Sequence, residues 1–179
     1  MIWLIIIFAA RMNKRTYYLY FLLIAAFSFF ANSCKKEDKS NIPNLLTAGP
    51  WQLASLQETH YTGATLNRTD TLNPNCNFAQ VFFFSKDNTC TYSNFSCVDQ
   101  PVANGSWELS TDKLFLYSNI VCRDNSQAGS STPFANSRII NLGQFSFVIE
   151  TGDISENYSV NQLRTVRRYG FVRQNTSGR

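Results

Sequence analysis

The segment whose reading decides the fold is residues 76–97, CNFAQVFFFSKDNTCTYSNFSC. Two apolar arms, 79–84 and 89–95, flank Lys86-Asp87-Asn88, whose aspartate and asparagine tolerate the tight backbone that reverses a chain. Strands joined by so short a turn make an antiparallel hairpin. Residues equidistant from the turn then face one another, and Cys76 and Cys97 stand at nearly matched distances, at its open end.

The same pattern extends along the chain in both directions. Strands are expected at 51–56, 79–84, 89–95, 106–109, 114–117, 139–142, 146–151 and 165–172, with further turns at Ser110-Thr111-Asp112 and Leu142-Gly143-Gln144. Residues 43–48 suit one short helical turn, and no window of adequate length carries a 3.6-residue apolar period. Consecutive hairpins give an antiparallel meander. About eight strands in about 130 residues is the size at which a sheet closes on itself, so the expected fold is all-β, a single up-and-down barrel over residues 45–179. A β-sandwich with tryptophans in its core is the competing arrangement.

Two segments share the form Gly-x-Trp-(Gln/Glu)-Leu: Gly49-Pro50-Trp51-Gln52-Leu53 and Gly105-Ser106-Trp107-Glu108-Leu109. At a strand entrance the glycine allows a bend, and the tryptophan and the leucine two residues on share the inward face. The first segment resembles the Gly-x-Trp signature that opens lipocalins. The run of Cys76, VFFFSKDNTCTY, Cys97 and GSWELS resembles the lipocalin-like domain of bacterial lipoproteins, and the likeness covers residues 45–117. It implies a barrel closed by Trp51 and Trp107, with an interior for side chains or one small apolar ligand. One of Arg164, Arg167, Arg168 and Arg173 on the last strand would then stack on Trp51.

The N-terminal region has a different grammar. Lys14 and Arg15 precede a nearly unbroken apolar run, 17–30, and then Ala31-Asn32-Ser33-Cys34. Basic, apolar and small residues in that order read as a secretory signal over residues 1–33, with Met12 the simplest true start. A membrane-spanning anchor is the alternative, although the run is shorter than the ~20 residues a bilayer requires. Residues 31–34 resemble the lipobox of bacterial lipoproteins, which implies that Cys34 becomes the acylated first residue, with two or three fatty chains holding the protein to a membrane. Residues 34–44 then read as a solvated tether. Lys36-Glu37-Asp38 resembles the acidic export signal of Bacteroidota lipoproteins, implying the outer membrane and its outer face, with a periplasm-facing site as the alternative.

Composition narrows the function classes. The 179 residues are 44% hydrophobic and 15% aromatic with a formal charge of +4, but removing Arg11, Lys14 and Arg15 leaves 13 basic against 12 acidic residues. Nothing in that balance argues for nucleic acid. Cys76, Cys90, Cys97 and Cys122 are an even set in an exported chain, open to three disulfide connectivities. The hairpin favours Cys76 with Cys97, which leaves Cys90 with Cys122 by elimination. Zinc is a poor alternative, because there is no Cys-x-x-Cys pair and His60 is the only histidine.

No phosphate loop, nucleophile elbow or helix-borne His pair is present, so neither an enzyme nor a cofactor is expected. His60 and Glu58 would share a strand face, and Asp153 and Glu156 flank a turn; both read as surface groups. Two polar segments, 59–77 and 122–138, read as loops; the second carries Phe134 as an isolated apolar residue. Asp70-Thr71-Leu72 resembles the O-glycosylation acceptor of Bacteroidota. Two functions follow: a lipid-anchored barrel holding a small hydrophobic ligand, or a packed barrel whose loops contact a partner. A cavity of about 300 Å³ or more inside the barrel would favour the first.

Overall fold

The computed structural model describes residues 41–72 and 76–174, all within one compact unit, Lys39–Arg179. The signal segment and Cys34 lie outside the described residues. The chain enters through a short helix, α1 (Ile42–Leu46), with Pro43 in its first turn. Eleven strands follow: β1 (Trp51–Thr62), β2 (Thr65–Thr71), β3 (Val81–Phe84), β4 (Thr89–Ser93), β5 (Ala103–Leu109), β6 (Phe115–Ser118), β7 (Cys122–Arg123), β8 (Ser130–Ser131), β9 (Ser137–Leu142), β10 (Ser146–Gly152) and β11 (Leu163–Arg173).

Eight of them, β1, β3, β4, β5, β6, β9, β10 and β11, close an antiparallel barrel. Closure comes from β1 and β11, paired from Trp51↔Arg173 to Thr62↔Leu163 with a bulge between Leu53 and Ser55. The hairpin at the centre of the sequence forms as expected: Val81 faces Ser93, Phe84 faces Cys90, and Cys76 is bridged to Cys97. The 59–77 segment departs from expectation. β1 runs on to Thr62, and β2 folds back along its far half, from Gln57↔Thr71 to Thr62↔Thr65. β1 therefore divides one edge between two partners, β3 at Trp51 and Gln52 and β2 from Gln57 onward, so β2 stands outside the ring. The 122–138 segment likewise holds a two-residue pairing, β7 with β8.

Alternation along each strand fills the barrel with aromatic side chains. Phe82, Phe84, Tyr92, Trp107, Phe147, Tyr169 and Phe171 point inward and are buried. Trp51 and Trp107 both lie toward the floor, the end where β1 and β10 begin and β5, β9 and β11 finish. Trp51 is fully buried; its indole N–H donates to Leu46 O at 2.9 Å, and the Arg173 guanidinium lies over its ring at 4.2 Å. Arg173 also donates to Leu45 O and Gln144 O, so one side chain ties α1, β11 and the β9–β10 turn together. Trp107 donates its indole N–H to Ser85 O at 3.0 Å and meets Phe84 edge-on at 5.7 Å.

Gly105 serves close approach as well as strand entry. A Cβ there would lie 2.7 Å from Asn119 Oδ1 and 2.9 Å from the Ile120 backbone. Asn119 uses that proximity to accept the Ser106 N–H at 2.7 Å.

The expected second disulfide is absent: Cys90 and Cys122 are buried free thiols. Cys90 lies at the β3–β4 pairing with its sulfur 3.2 Å from Ser118 Oγ, so a hydroxyl sits against the thiol. Burial pushes the Cys90 thiol up, and burial with the nearby Cys90 and Asp124 pushes Cys122 up to about 12, which keeps both protonated.

The Cys76–Cys97 bridge closes a loop with a sequence separation of 21, for which chain entropy gives about 3 kcal/mol. Replacing both cysteines by serine should lower the melting temperature by roughly 10 °C. Non-reducing peptide mapping should recover Cys76 linked to Cys97, with Cys90 and Cys122 alkylated only after denaturation.

Candidate functional site

The rim of the barrel, opposite the α1 floor, gathers the two segments read as loops. From the 122–138 segment Phe134 turns into the barrel mouth and is fully buried. Its ring lies 4.8 Å from Phe82, 5.1 Å from Tyr92, 5.2 Å from Tyr169 and 6.1 Å from Phe95, and its carbonyl accepts the Ser118 N–H at 3.0 Å. The isolated apolar residue of the sequence is thus the plug of the barrel. The aromatic contacts run on from it through Phe82, Phe171 and Phe147 to Trp51.

A cleft of about 380 Å³ opens at this rim between β1, β11 and the segment after β7. Leu56, Leu72 and Phe95 supply its apolar wall, and Arg167, Asp124 and Tyr169 its polar one. Arg167 donates to Glu58 Oε2 at 2.6 Å, and that bond, with the negative charge of Asp124 nearby, holds the guanidinium firmly protonated. Hydrogen bonds from Ser126 and Ser131 hold the Asp124 carboxyl below its usual range. Gln80 secures the near side: its amide reaches the Cys76 sulfur at 3.5 Å, and its carbonyl accepts the Tyr92 hydroxyl at 3.3 Å. The disulfide and the aromatic interior are thereby coupled through one buried side chain.

His60 and Glu58 do share a face of β1. His60 Nε2 lies 3.3 Å from Glu58 Oε1 and 3.5 Å from Asp70 Oδ2, and Arg68 Nε lies 2.8 Å from Asp70. This ribbon of alternating charge runs along the outer arm made by β1 and β2. Asp70 and Thr71 of the O-glycosylation-like tripeptide belong to β2 rather than to a loop. Among the described residues no group of three or more His, Cys, Asp or Glu is placed to hold a metal ion.

One charged cluster had no signal in the sequence. Glu150 projects from β10 between two arginines, with 8% of its side chain exposed. Arg168 reaches Oε1 at 2.5 Å, and Arg138 reaches Oε2 at 2.8 Å. Burial raises the Glu150 carboxyl, but the two guanidinium bonds outweigh it and leave the group below its ordinary value. Its partners come from β9 and β11, so only the sheet register assembles them.

No protein-family model matches the chain, and no curated protein matches it.

Phe134→Ala should cost about 3–5 kcal/mol, and the vacated mouth should bind benzene, raising the melting temperature of the variant but not of the parent protein. Glu150 ionises more readily folded than unfolded, so its contribution is present above the ordinary value of 4.5 and is lost as pH falls through the lowered one. Glu150→Gln should therefore destabilise by about 1–2 kcal/mol at pH 7, with the difference from the parent protein closing as pH falls below the ordinary value of 4.5 in urea titrations.

Proposed function

We propose that the protein is a lipid-anchored lipocalin-like barrel of a bacterial cell envelope that binds at its rim and not inside its wall. The observation that carries the rim reading is Phe134, which occupies the mouth with its own chain. A ligand held within the barrel would have to displace that ring and the contacts behind it. The rim cleft needs no such displacement, and its pairing of Leu56, Leu72 and Phe95 with Arg167 and Asp124 suits a small molecule of mixed polarity or the side chains of a partner protein.

The anchor reading rests on the sequence. Ala31-Asn32-Ser33-Cys34 follows an apolar run and precedes the charged tether, and acylation of Cys34 is the chemistry that this order serves. The outer membrane is the destination that Lys36-Glu37-Asp38 favours, through its likeness to the Bacteroidota export signal.

Intact mass of the membrane-extracted protein should show loss of residues 1–33 and gain of fatty chains on Cys34, and Cys34→Ser should leave the precursor uncut. Normal processing of that variant would remove the lipoprotein reading. Native mass spectrometry of the extracted protein tests the rim separately. A co-purifying small molecule that Arg167→Ala releases and Phe134→Ala retains supports rim binding; one that Phe134→Ala alone affects would place it inside the barrel.

A further inference from the structure

Among the described residues β2 has a strand partner on one side only. It pairs with β1 and ends the nine-stranded sheet, and six of its seven residues are exposed. An open edge offers N–H and C=O groups to any passing strand, and natural proteins blunt such edges with charged side chains, lysine above all, with proline or with a bulge; the two charges of β2, Arg68 and Asp70, are of opposite sign and so do not repel a second copy of the strand. The stretch Thr65–Thr71 contains neither lysine nor proline, and its bulge against β1, between His60 and Tyr61, lies before Arg68. From Arg68 onward the edge is regular.

The direction of its backbone groups follows from one hydrogen bond. Leu72 donates its N–H to Leu56 O at 2.8 Å. Alternate residues of an antiparallel ladder address the same neighbour, so Asp70 and Arg68 also point their backbone groups at β1. Thr69 and Thr71 point theirs outward.

We propose that this edge is an interaction surface for a second copy of the chain, β2 lying antiparallel to β2 about a twofold axis at Thr69. The charges select that register. With the axis at Thr69, Arg68 meets the partner's Asp70, and Asp70 meets the partner's Arg68. Moving the axis one residue either way sets Arg68 against its own copy, or Asp70 against its own, and like charges directly opposite are unfavourable. Thr69 is also a residue whose N–H and C=O face outward, so the central pair exchanges two backbone hydrogen bonds. The contact is isologous, and a closed dimer uses up both free edges.

Within one chain Arg68 Nε already lies 2.8 Å from Asp70 Oδ2, with side-chain exposures of 67% and 36%. An exposed pair of this kind contributes little, so it exchanges readily for the two pairs across the axis. The proposal rests on the barrel and its β2 arm alone, and stands whether or not Cys34 carries a lipid.

Cysteine cross-linking of the full chain, in cells and after purification, tests it. Residues facing each other in a hydrogen-bonded antiparallel pair have Cα atoms about 5.5 Å apart, within disulfide reach. Thr69→Cys, treated with copper phenanthroline, should give a reductant-sensitive dimer that the parent chain does not give. Adding Arg68→Asp or Asp70→Arg should cut the yield roughly tenfold, and the two together should restore it, because the exchanged charges again face their opposites. Rescue by the double exchange separates charge pairing from misfolding. The proposal is overturned by no dimer from Thr69→Cys, by single exchanges that leave the yield unchanged, by a double exchange that fails to restore it, or by a cross-link to a protein of different mass.

Discussion

The pairing of β1 with β11 is the interaction on which the rest of this molecule depends. Eight strands make a closed wall only because the first and last of them meet, from Trp51↔Arg173 to Thr62↔Leu163. Closure shelters the aromatic interior and uses up the edges of the ring strands. The floor clasp reinforces it at one end. Arg173, from the last strand, lies over Trp51 of the first and hydrogen bonds to the α1 carbonyl of Leu45. Loosening that end would expose the fully buried Trp51 ring.

The same pairing explains why the arm exists. β1 continues beyond the point where β3 leaves it, because β11 supplies a partner for all of its length. The unsatisfied side of that extension is covered by β2. Gly170 belongs to the same joint: a Cβ there would collide with Ser55 Oγ, so the bulge in β1 and the glycine in β11 fit each other. A local irregularity in one strand is thus matched by a missing side chain in its neighbour.

How much of this was legible in the sequence depends on where the information resides. The central hairpin was legible because its turn residues and apolar arms are local, and the position of Cys76 opposite Cys97 follows from counting outward. β2 was not, since TLNRTDT has no apolar alternation; it is a strand because β1 offers it a ladder. Phe134 stood out as apolar in a polar loop, yet its burial depends on rings from β3, β4, β11 and the Phe95 turn, which only the closed barrel brings together. Glu150 lacked even that signal, because its arginines come from two other strands. The Cys90–Cys122 bridge failed for the complementary reason: elimination counts sulfurs, while the interior places Ser118 beside Cys90.

Closing the ring with its first and last strands also fixes the order in which the chain can become a barrel. About 110 residues separate the start of β1 from the start of β11, which at 5–20 residues per second is about 5–20 s of synthesis. Through that interval the β11 side of β1 has no mate, and every intermediate of the meander retains two raw edges. The decisive contact is as non-local as this topology permits, which places folding among the slow, high-contact-order class. A nascent or truncated chain that stops before Leu163 can form hairpins but cannot shut the wall, so the arrival of β11 is itself the trigger for sealing the interior.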